Sequence, residues 1–312
     1  MAGAGNRTVI VNDVGPRDGL QNQAKVLEPG QRVRLVQALL TAGMKHIEVG
    51  AFVSPKAVPA MAGADEVLAG LRDVQGATLT VLIPNLRGYE LAAAAGAKSV
   101  CMVLYGSDAM AEANARMSRQ RADDAAAEIL RLARADGVRV TATVAVAFEC
   151  PFDGPVAPAL VEDVAARFVE LGVDELCIAD TIGAANPAQV RALTQRLVEV
   201  HGADRLGGHF HDTRAMGLAN VYAALESGLR KFDASIAGLG GCPFAPGASG
   251  NVATEDVVML LEQMGFDTGI DLARLMQAAD LAQELTGTAP GGRASAWLKR
   301  QLEKTQEGRR SQ

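Results

Sequence analysis

Cysteine is scarce and scattered in this chain of 312 residues. Only Cys101, Cys150, Cys177 and Cys242 occur, and no two form a CxxC pair. That excludes a disulfide framework and fits a reduced compartment, with each thiol expected as a small buried hydrophobe. A basic excess is missing too. Lys and Arg number 30 against 36 Asp and Glu, a net charge of −6, which leaves no cationic footprint for nucleic acid. No apolar run approaches the roughly 20 residues that span a bilayer. The opening MAGAGNRTVIVNDVG passes almost directly into a strand-like run, without an apolar h-region or the length of a transit peptide. A cytoplasmic protein without membrane association is expected. Histidine is also rare: there are four, and two of them stand together in GGHFHDT, Gly207 to Thr213.

What is present is a hydrophobic content of 49%, enough for one large core or two ordinary domains. Short β-branched runs alternate with longer Ala/Leu-rich amphipathic ones. TVIVND (from Thr8), HIEVGAF, TLTVLIP (from Thr78), SVCMVLYGS, RVTATVAVAF, ELCIADT, RLGGHFHD and KFDASIAG read as eight strands. Helices are expected from about Pro29 to Gly43, over GYELAAAAGA, from Ser118 to Ala135, Pro158 to Leu171, Pro187 to Val200, over MGLANVYAALESG, and from near Thr254. Eight such units in about 250 residues match a (β/α)8 TIM barrel. The strands look like near-continuous apolar runs, as both faces of a buried parallel sheet require. A doubly wound open sheet is the alternative, weakened because no GxGxxG follows the first strand. We expect one catalytic domain over 1–312, with the barrel at about 8–268 and extra C-terminal helices at about 269–307. Those helices are expected at Asp271 to Leu285 and Ala294 to Glu307, with KTQEGRRSQ as a frayed tail.

In a TIM barrel the chemistry sits at the C-terminal ends of the strands, and polar residues gather there. Arg17, Asp18 and Gln21 follow the first strand, and Glu48 stands on the second. Asp180 ends the sixth, while His209, His211 and Asp212 end the seventh. His209 and His211 are two apart, so both imidazoles leave the strand on one face and can reach one cation. With a carboxylate such as Asp18 they make a mixed N/O set suited to Mg²⁺, Mn²⁺ or a similar divalent ion. Plainer roles are also open. Asp13 and Glu48 suit buried ion pairs, Arg17 suits a salt bridge to Glu48, and Asp212 and Asp180 suit helix caps. The stretch GLGGCPFAPGASGN, Gly238 to Asn251, has no hydrophobic periodicity, and a loop of that length in a compact barrel is usually functional or disordered. Cys242 in its middle is therefore not expected to be a core thiol.

Taken together, VGPRDGLQNQ, FVSPK, CPF at Cys150 to Phe152, DTIG at Asp180 to Gly183, HFHDT and GLGGCPFAPGASGNVATEDVVMLLEQMG resemble the 3-hydroxy-3-methylglutaryl-CoA lyase family. These are TIM-barrel metallolyases, grouped with the isopropylmalate and homocitrate synthases, and the resemblance runs from about Val9 to Leu285. It implies an acyl-CoA substrate and a divalent cation, Mg or Mn, held by Asp18, His209, His211 and Asn251. It implies that Arg17 stabilises an enolate oxygen, that Glu48 supports Arg17 and the proton network, that Gln21 lies near the acyl group, that His209 transfers a proton and that Cys242 completes the site from a lid. The implied reaction is a retro-aldol, Claisen-type cleavage, and the implied assembly is a homo-oligomer, commonly a dimer.

The chain departs from the family pattern in the pocket. After HxHDT the familiar Tyr-Gly-Gln is replaced by Arg214, Ala215 and Met216. EVGAF lacks the usual hydroxyl residues after its Glu, and TATVAVAF lacks the usual Tyr-Val-Ser. Arg214 is thus expected to contact a substrate carboxylate or close the pocket, and citramalyl-CoA is an alternative substrate. A condensing synthase is disfavoured by the cysteine loop and by a chain too short for an added regulatory domain. A non-catalytic acyl-CoA-binding barrel is disfavoured by retention of the whole site set.

Overall fold

In a computed structural model of the protein, which describes residues 7–241 and 250–310 with side chains through residue 304, eight parallel strands close into a barrel. In chain order these are β1 (Ile10–Asp13), β2 (His46–Ala51), β3 (Thr78–Ile83), β4 (Ser99–Tyr105), β5 (Arg139–Ala145), β8 (Glu175–Asp180), β9 (Leu206–Phe210) and β10 (Lys231–Ala234), with β1 pairing β10 to complete the ring. A small hairpin, β6 (Glu149–Cys150) with β7 (Gly154–Pro155), stands on the rim after β5. The helices are α1 (Pro29–Thr41), α2 (Ala64–Gly70), α3 (Leu86–Ala94), α4 (Asp108–Ala115), α5 (Arg119–Asp136), α6 (Pro158–Leu171), α7 (Pro187–His201), α8 (Gly217–Glu226), α9 (Thr254–Gln263), α10 (Leu272–Thr286) and α11 (Ser295–Arg310). The expected TIM barrel with extra C-terminal helices is therefore the fold. The tail expected to fray from Lys304 is instead helical as far as Arg310. No helix among the described residues is long and apolar enough to cross a membrane.

Two helices escaped the sequence pattern. The first, α2, is short and enters at Gly63 with φ +69° and no side-chain cap. The second, α4, starts at Ser107, whose side chain accepts from the Met110 amide, and stops at Arg116 in a left-handed conformation.

The barrel interior corrects the expectation of strands apolar on both faces. Outward residues such as Ile47, Val81, Val100, Val140, Leu176 and Ile178 are buried against the helices. The inward residues are largely polar, and Asn12, Glu48, Thr80, Ser99, Thr143 and Asp233 line one axial cavity of about 500 Å³. Thr80 Oγ1 lies 3.0 Å from Ser99 Oγ. At the N-terminal mouth Glu175 bridges Arg139 at 3.2 Å and Lys231 at 2.8 Å. Alternation of side chains along a strand allows this, because the hydrophobic requirement falls only on the face that meets the helices. The three described cysteines, Cys101, Cys150 and Cys177, are free and buried.

Asp13 is not the ion-pair member considered from sequence. Its carboxylate is fully buried and accepts from the Gly15 and Ile236 amides and the Thr254 hydroxyl, tying β1 to the start of α9. Burial raises its pKa to about 6, against the lowering effect of those hydrogen bonds. A carboxyl held above its unfolded value favours the protonated native state. Its stability contribution is full below pH ~4 and is lost as pH rises to ~6, a change of about 3 kcal/mol at 1.36 kcal/mol per unit. Asp13→Asn can keep the acceptor for both amides and donate to Thr254. Denaturant titrations at pH 4 and pH 7 are expected to show a smaller pH-dependent loss in the variant; an unchanged loss would acquit Asp13.

Candidate active site

The segment after β1 is a single π-helical turn, Gly15–Gly19, in which the Gly19 amide bonds the Val14 carbonyl at 3.1 Å. The wider turn fits because it packs on the loop after β10. A Cβ at Gly15 would meet Asp13 Oδ1 at 2.7 Å, and one at Gly19 would meet Ser235 Oγ at 2.6 Å. Between these glycines the turn presents Arg17 and Asp18 to the barrel mouth. Arg17 donates from Nη1 to Asp18 Oδ1 and from Nη2 to Glu48 Oε2, each at 2.8 Å. Glu48 comes from β2 beside a register shift between Glu48 and Gly50, and its side chain is only 4% exposed.

Two strands from β1 in the ring, His209 lies one residue before the end of β9 and His211 one residue past it, on the same face as their two-residue spacing required. Their Nε2 atoms lie 3.1 Å apart. A backbone bridge sets Asn251 beside His211, and Asn251 Nδ2 donates to Asp18 Oδ2 at 2.6 Å. Asp18, His209 and His211 each offer a ligand atom, all within 4.8 Å of one another, a group that could hold a metal ion.

The electrostatics prepare these groups as ligands. Burial would raise the Asp18 carboxyl, but Arg17 and both histidines outweigh it and hold the pKa at about 2. Burial, then the neighbouring His209, push His211 down to about 3, so its imidazole is neutral near pH 7. Burial also lowers His209, but its Asp233 partner more than offsets this and the net shift is upward. Glu48 is raised by burial against the opposing pull of Arg17.

The residues fit a divalent cation on a further ground. Buried polar atoms without a hydrogen-bond partner include Asn251 Oδ1, Glu48 Oε1 and Arg17 Nε, all around this cluster. Native proteins seldom leave so many such atoms unsatisfied in one place unless a ligand meets some of them. Two ligand atoms 3.1 Å apart also suit adjacent vertices of an octahedron with bonds of about 2.1 Å. The donor set, carboxylate, amide oxygen and imidazole without thiolate, suits Mg²⁺ or Mn²⁺.

A family model described as HMGL-like matches residues 8–282. The chain belongs to this family. It is 45% identical to the hydroxymethylglutaryl-CoA lyase of Pseudomonas mevalonii over 94% of this chain and 97% of that one. It is 44% identical to the (R)-citramalyl-CoA lyase of Chloroflexus aurantiacus over 87% and 89% of the two chains. Among solved structures it superposes with a TM-score of 0.90, at 37% identity, on an HMG-CoA lyase from Acenitobacter baumannii in complex with coenzyme A and 3-methylmalate, covering 95% and 96% of the chains. As a member of the HMGL-like family with these relatives, the protein is a carbon–carbon lyase.

The remaining residues singled out from this HMGL-like sequence fall variously. Gln21 lines the cavity beside Arg17 and Asp18. Arg214 does not: it is 53% exposed, lies 3.8 Å from Glu149 on the rim hairpin and donates to the Ala184 carbonyl at 3.5 Å. Cys242 lies outside the described residues. Asp212 is not the cap expected of it: the N-cap of α8 is Met216, and Asp212 accepts from the Gly217 amide across the intervening turn while Arg293 also binds it. Asp180 does not cap a helix. It accepts from the Ala184 and Ala185 amides in the turn before Asn186, which is the true cap of α7.

Sequence reasoning missed Asp233 and Asn12. Asp233 Oδ2 lies 3.1 Å from His209 Nδ1, and Asn12 Nδ2 donates to Asp233 Oδ1 at 2.8 Å. The available signal was a charged residue in KFDA sharing the face of Lys231 on an otherwise apolar strand.

Proposed function

We propose that the protein cleaves 3-hydroxy-3-methylglutaryl-CoA to acetyl-CoA and acetoacetate by a retro-aldol, Claisen-type reaction that depends on a divalent cation, Mg²⁺ or Mn²⁺. One observation carries this reading: Arg17 stands between Asp18 and Glu48, at the edge of the Asp18–His209–His211–Asn251 cluster. A permanent cation thus borders a ligand set, which is what breaking a C–C bond beside a tertiary alcohol needs.

In the reaction the C2–C3 bond breaks, its electrons pass to the thioester as an enolate, and the C3 oxygen becomes a ketone. The hydroxyl proton must leave, and a proton must arrive at C2. When bound, the cation supplies Lewis-acid polarisation of the hydroxyl. Asp18, His211, His209 and Asn251 would hold it. Arg17, fixed by two carboxylates, offers N–H groups to the enolate oxygen. His209 is held by Asp233 through its second nitrogen, which leaves Nε2 for the cluster; a part for it in proton transfer is assigned by the resemblance alone. Cys242 is assigned, by resemblance alone, a part in the closed site.

The substrate is bound as a CoA thioester. We place Gln21 beside the acyl group because it lines the cavity. The outward turn of Arg214 toward Glu149 supports a role at the rim, where it would meet a substrate carboxylate only by leaving Glu149. Citramalyl-CoA is the second reading, favoured by the similarity to the Chloroflexus aurantiacus enzyme. Free buried thiols fit a reduced, cytoplasmic setting, and a homodimer is the assembly the family resemblance suggests.

The deciding experiment offers a panel of branched 3-hydroxyacyl-CoA thioesters with Mg²⁺ or Mn²⁺ and follows acetyl-CoA formation. Fastest turnover is expected with the 3-hydroxy-3-methylglutaryl thioester. Preference for citramalyl-CoA would move the assignment to the second reading, and no turnover of any thioester would leave a binding barrel.

A further inference from the structure

We infer that Asp233, backed by Asn12, is the positioning residue of this site: it fixes the His209 ring with Nδ1 protonated and Nε2 turned into the cluster. The inference rests on the proposed function only in taking His209 as a ligand.

The topology sets the three residues in one row. Asn12 on β1 is in register with Asp233 on β10, and Asp233 is in register with His209 on β9. Their side chains form a chain across the barrel wall. Asn12 Nδ2 donates to Asp233 Oδ1 at 2.8 Å, and Asp233 Oδ2 faces His209 Nδ1 at 3.1 Å. Cys177 Sγ from β8 reaches the same Oδ2 at 3.7 Å.

Both Asp233 oxygens already accept, Oδ1 from Asn12 and Oδ2 from Cys177, so Asp233 meets His209 as an acceptor and the contact requires a proton on Nδ1. In the neutral ring the lone pair then lies on Nε2, the atom 3.1 Å from His211 Nε2. Turning the ring over would bring carbon against Asp233 and withdraw Nε2 from the cluster. Because Asn12 and Cys177 also donate to it, the carboxylate cannot easily rotate away. Each member sits on a strand rather than a loop, which limits its freedom further. Partners of this kind commonly affect metal affinity by 10–100-fold.

The test uses the full-length protein stripped of metal. Mn²⁺ affinity is read from the electron paramagnetic resonance of free Mn²⁺, and tautomers from ¹⁵N spectra of histidine-labelled protein, with His209 assigned through His209→Asn. The parent is expected to show His209 protonated at Nδ1. Asp233→Ala should weaken Mn²⁺ binding by roughly 10–100-fold and lower kcat, with KM for the thioester little changed at saturating Mn²⁺. Asp233→Asn can keep the acceptor if Asn12 turns its amide, so it should retain the tautomer and most of the affinity. A parent spectrum with His209 protonated at Nε2 would overturn the proposal. So would a folded Asp233→Ala variant with parental Mn²⁺ affinity, or an Asp233→Asn variant as impaired as the alanine one. If Asp233→Ala does not fold, the parent tautomer and the Asn variant still decide. The Mn²⁺ affinity and the tautomer are read without substrate, so failure of the lyase assay leaves the deciding outcomes intact.

Discussion

Arg17→Gln is expected to lower kcat on the order of 10³-fold, with Mn²⁺ affinity changed little. The guanidinium is the positive group beside the ligand cluster that is not itself a ligand, and its two 2.8 Å bonds to Asp18 and Glu48 fix its direction. Stabilisation of a developing oxyanion by a preorganised donor is realised only in the transition state, so its loss appears in kcat. Glutamine keeps amide donors near both carboxylates, which limits the penalty of leaving two buried acids without a cation. It supplies no charge. Steady-state kinetics beside Mn²⁺ titration of the same preparation separate the two effects. A variant that turns over within tenfold of the parent would remove Arg17 from the enolate role.

Removal of divalent ions is the second large effect. Treatment with EDTA is expected to depress cleavage by at least ~10²-fold, with recovery on addition of Mg²⁺ or Mn²⁺, because Lewis-acid stabilisation contributes several kcal/mol. A second consequence needs no substrate. An ion that binds only the native state adds about 2.7 kcal/mol at a hundred times its Kd, so saturating Mn²⁺ should raise Tm by a few degrees. His211→Ala should abolish that rise, since His211 supplies one ligand atom of the cluster. Activity that survives exhaustive chelation, with no change in Tm, would leave the unpartnered atoms around Asn251 without a cation to explain them.

The sequence carried the barrel because repetition is a local signal. Eight β-branched runs, each closed by turn residues, can be counted without knowing what they touch. It also carried the face shared by His209 and His211, since a two-residue spacing on a strand has one geometric meaning. Partners far apart in the chain were not legible. Asp233 meets Asn12 across 221 positions, and Asp13 meets Thr254 across 241. Asp180 was misjudged for a different reason: DT before a helical run looks like a cap, yet the chain makes one more turn before Asn186 takes that role. Arg214 shows the remaining limit. Its position beside HxHDT suggested the pocket, while the left-handed Ala215 (φ 60°) and nearby Glu149 accompany a rim placement.

The π-helical turn at Gly15–Gly19 bears on how this enzyme can change over time. Surface connections in most folds tolerate gained or lost residues, since closing a slightly longer loop costs little. Here one deletion would tighten the turn toward ordinary α-helix and swing the following side chains by roughly 100°. Arg17 and Asp18 could not then both face the cluster, and the close fits at Gly15 and Gly19 would fall out of phase. Length in this segment is held by the chemistry at its centre and by the two crowded glycines that bound it, so its descendants cannot vary here by insertion or deletion.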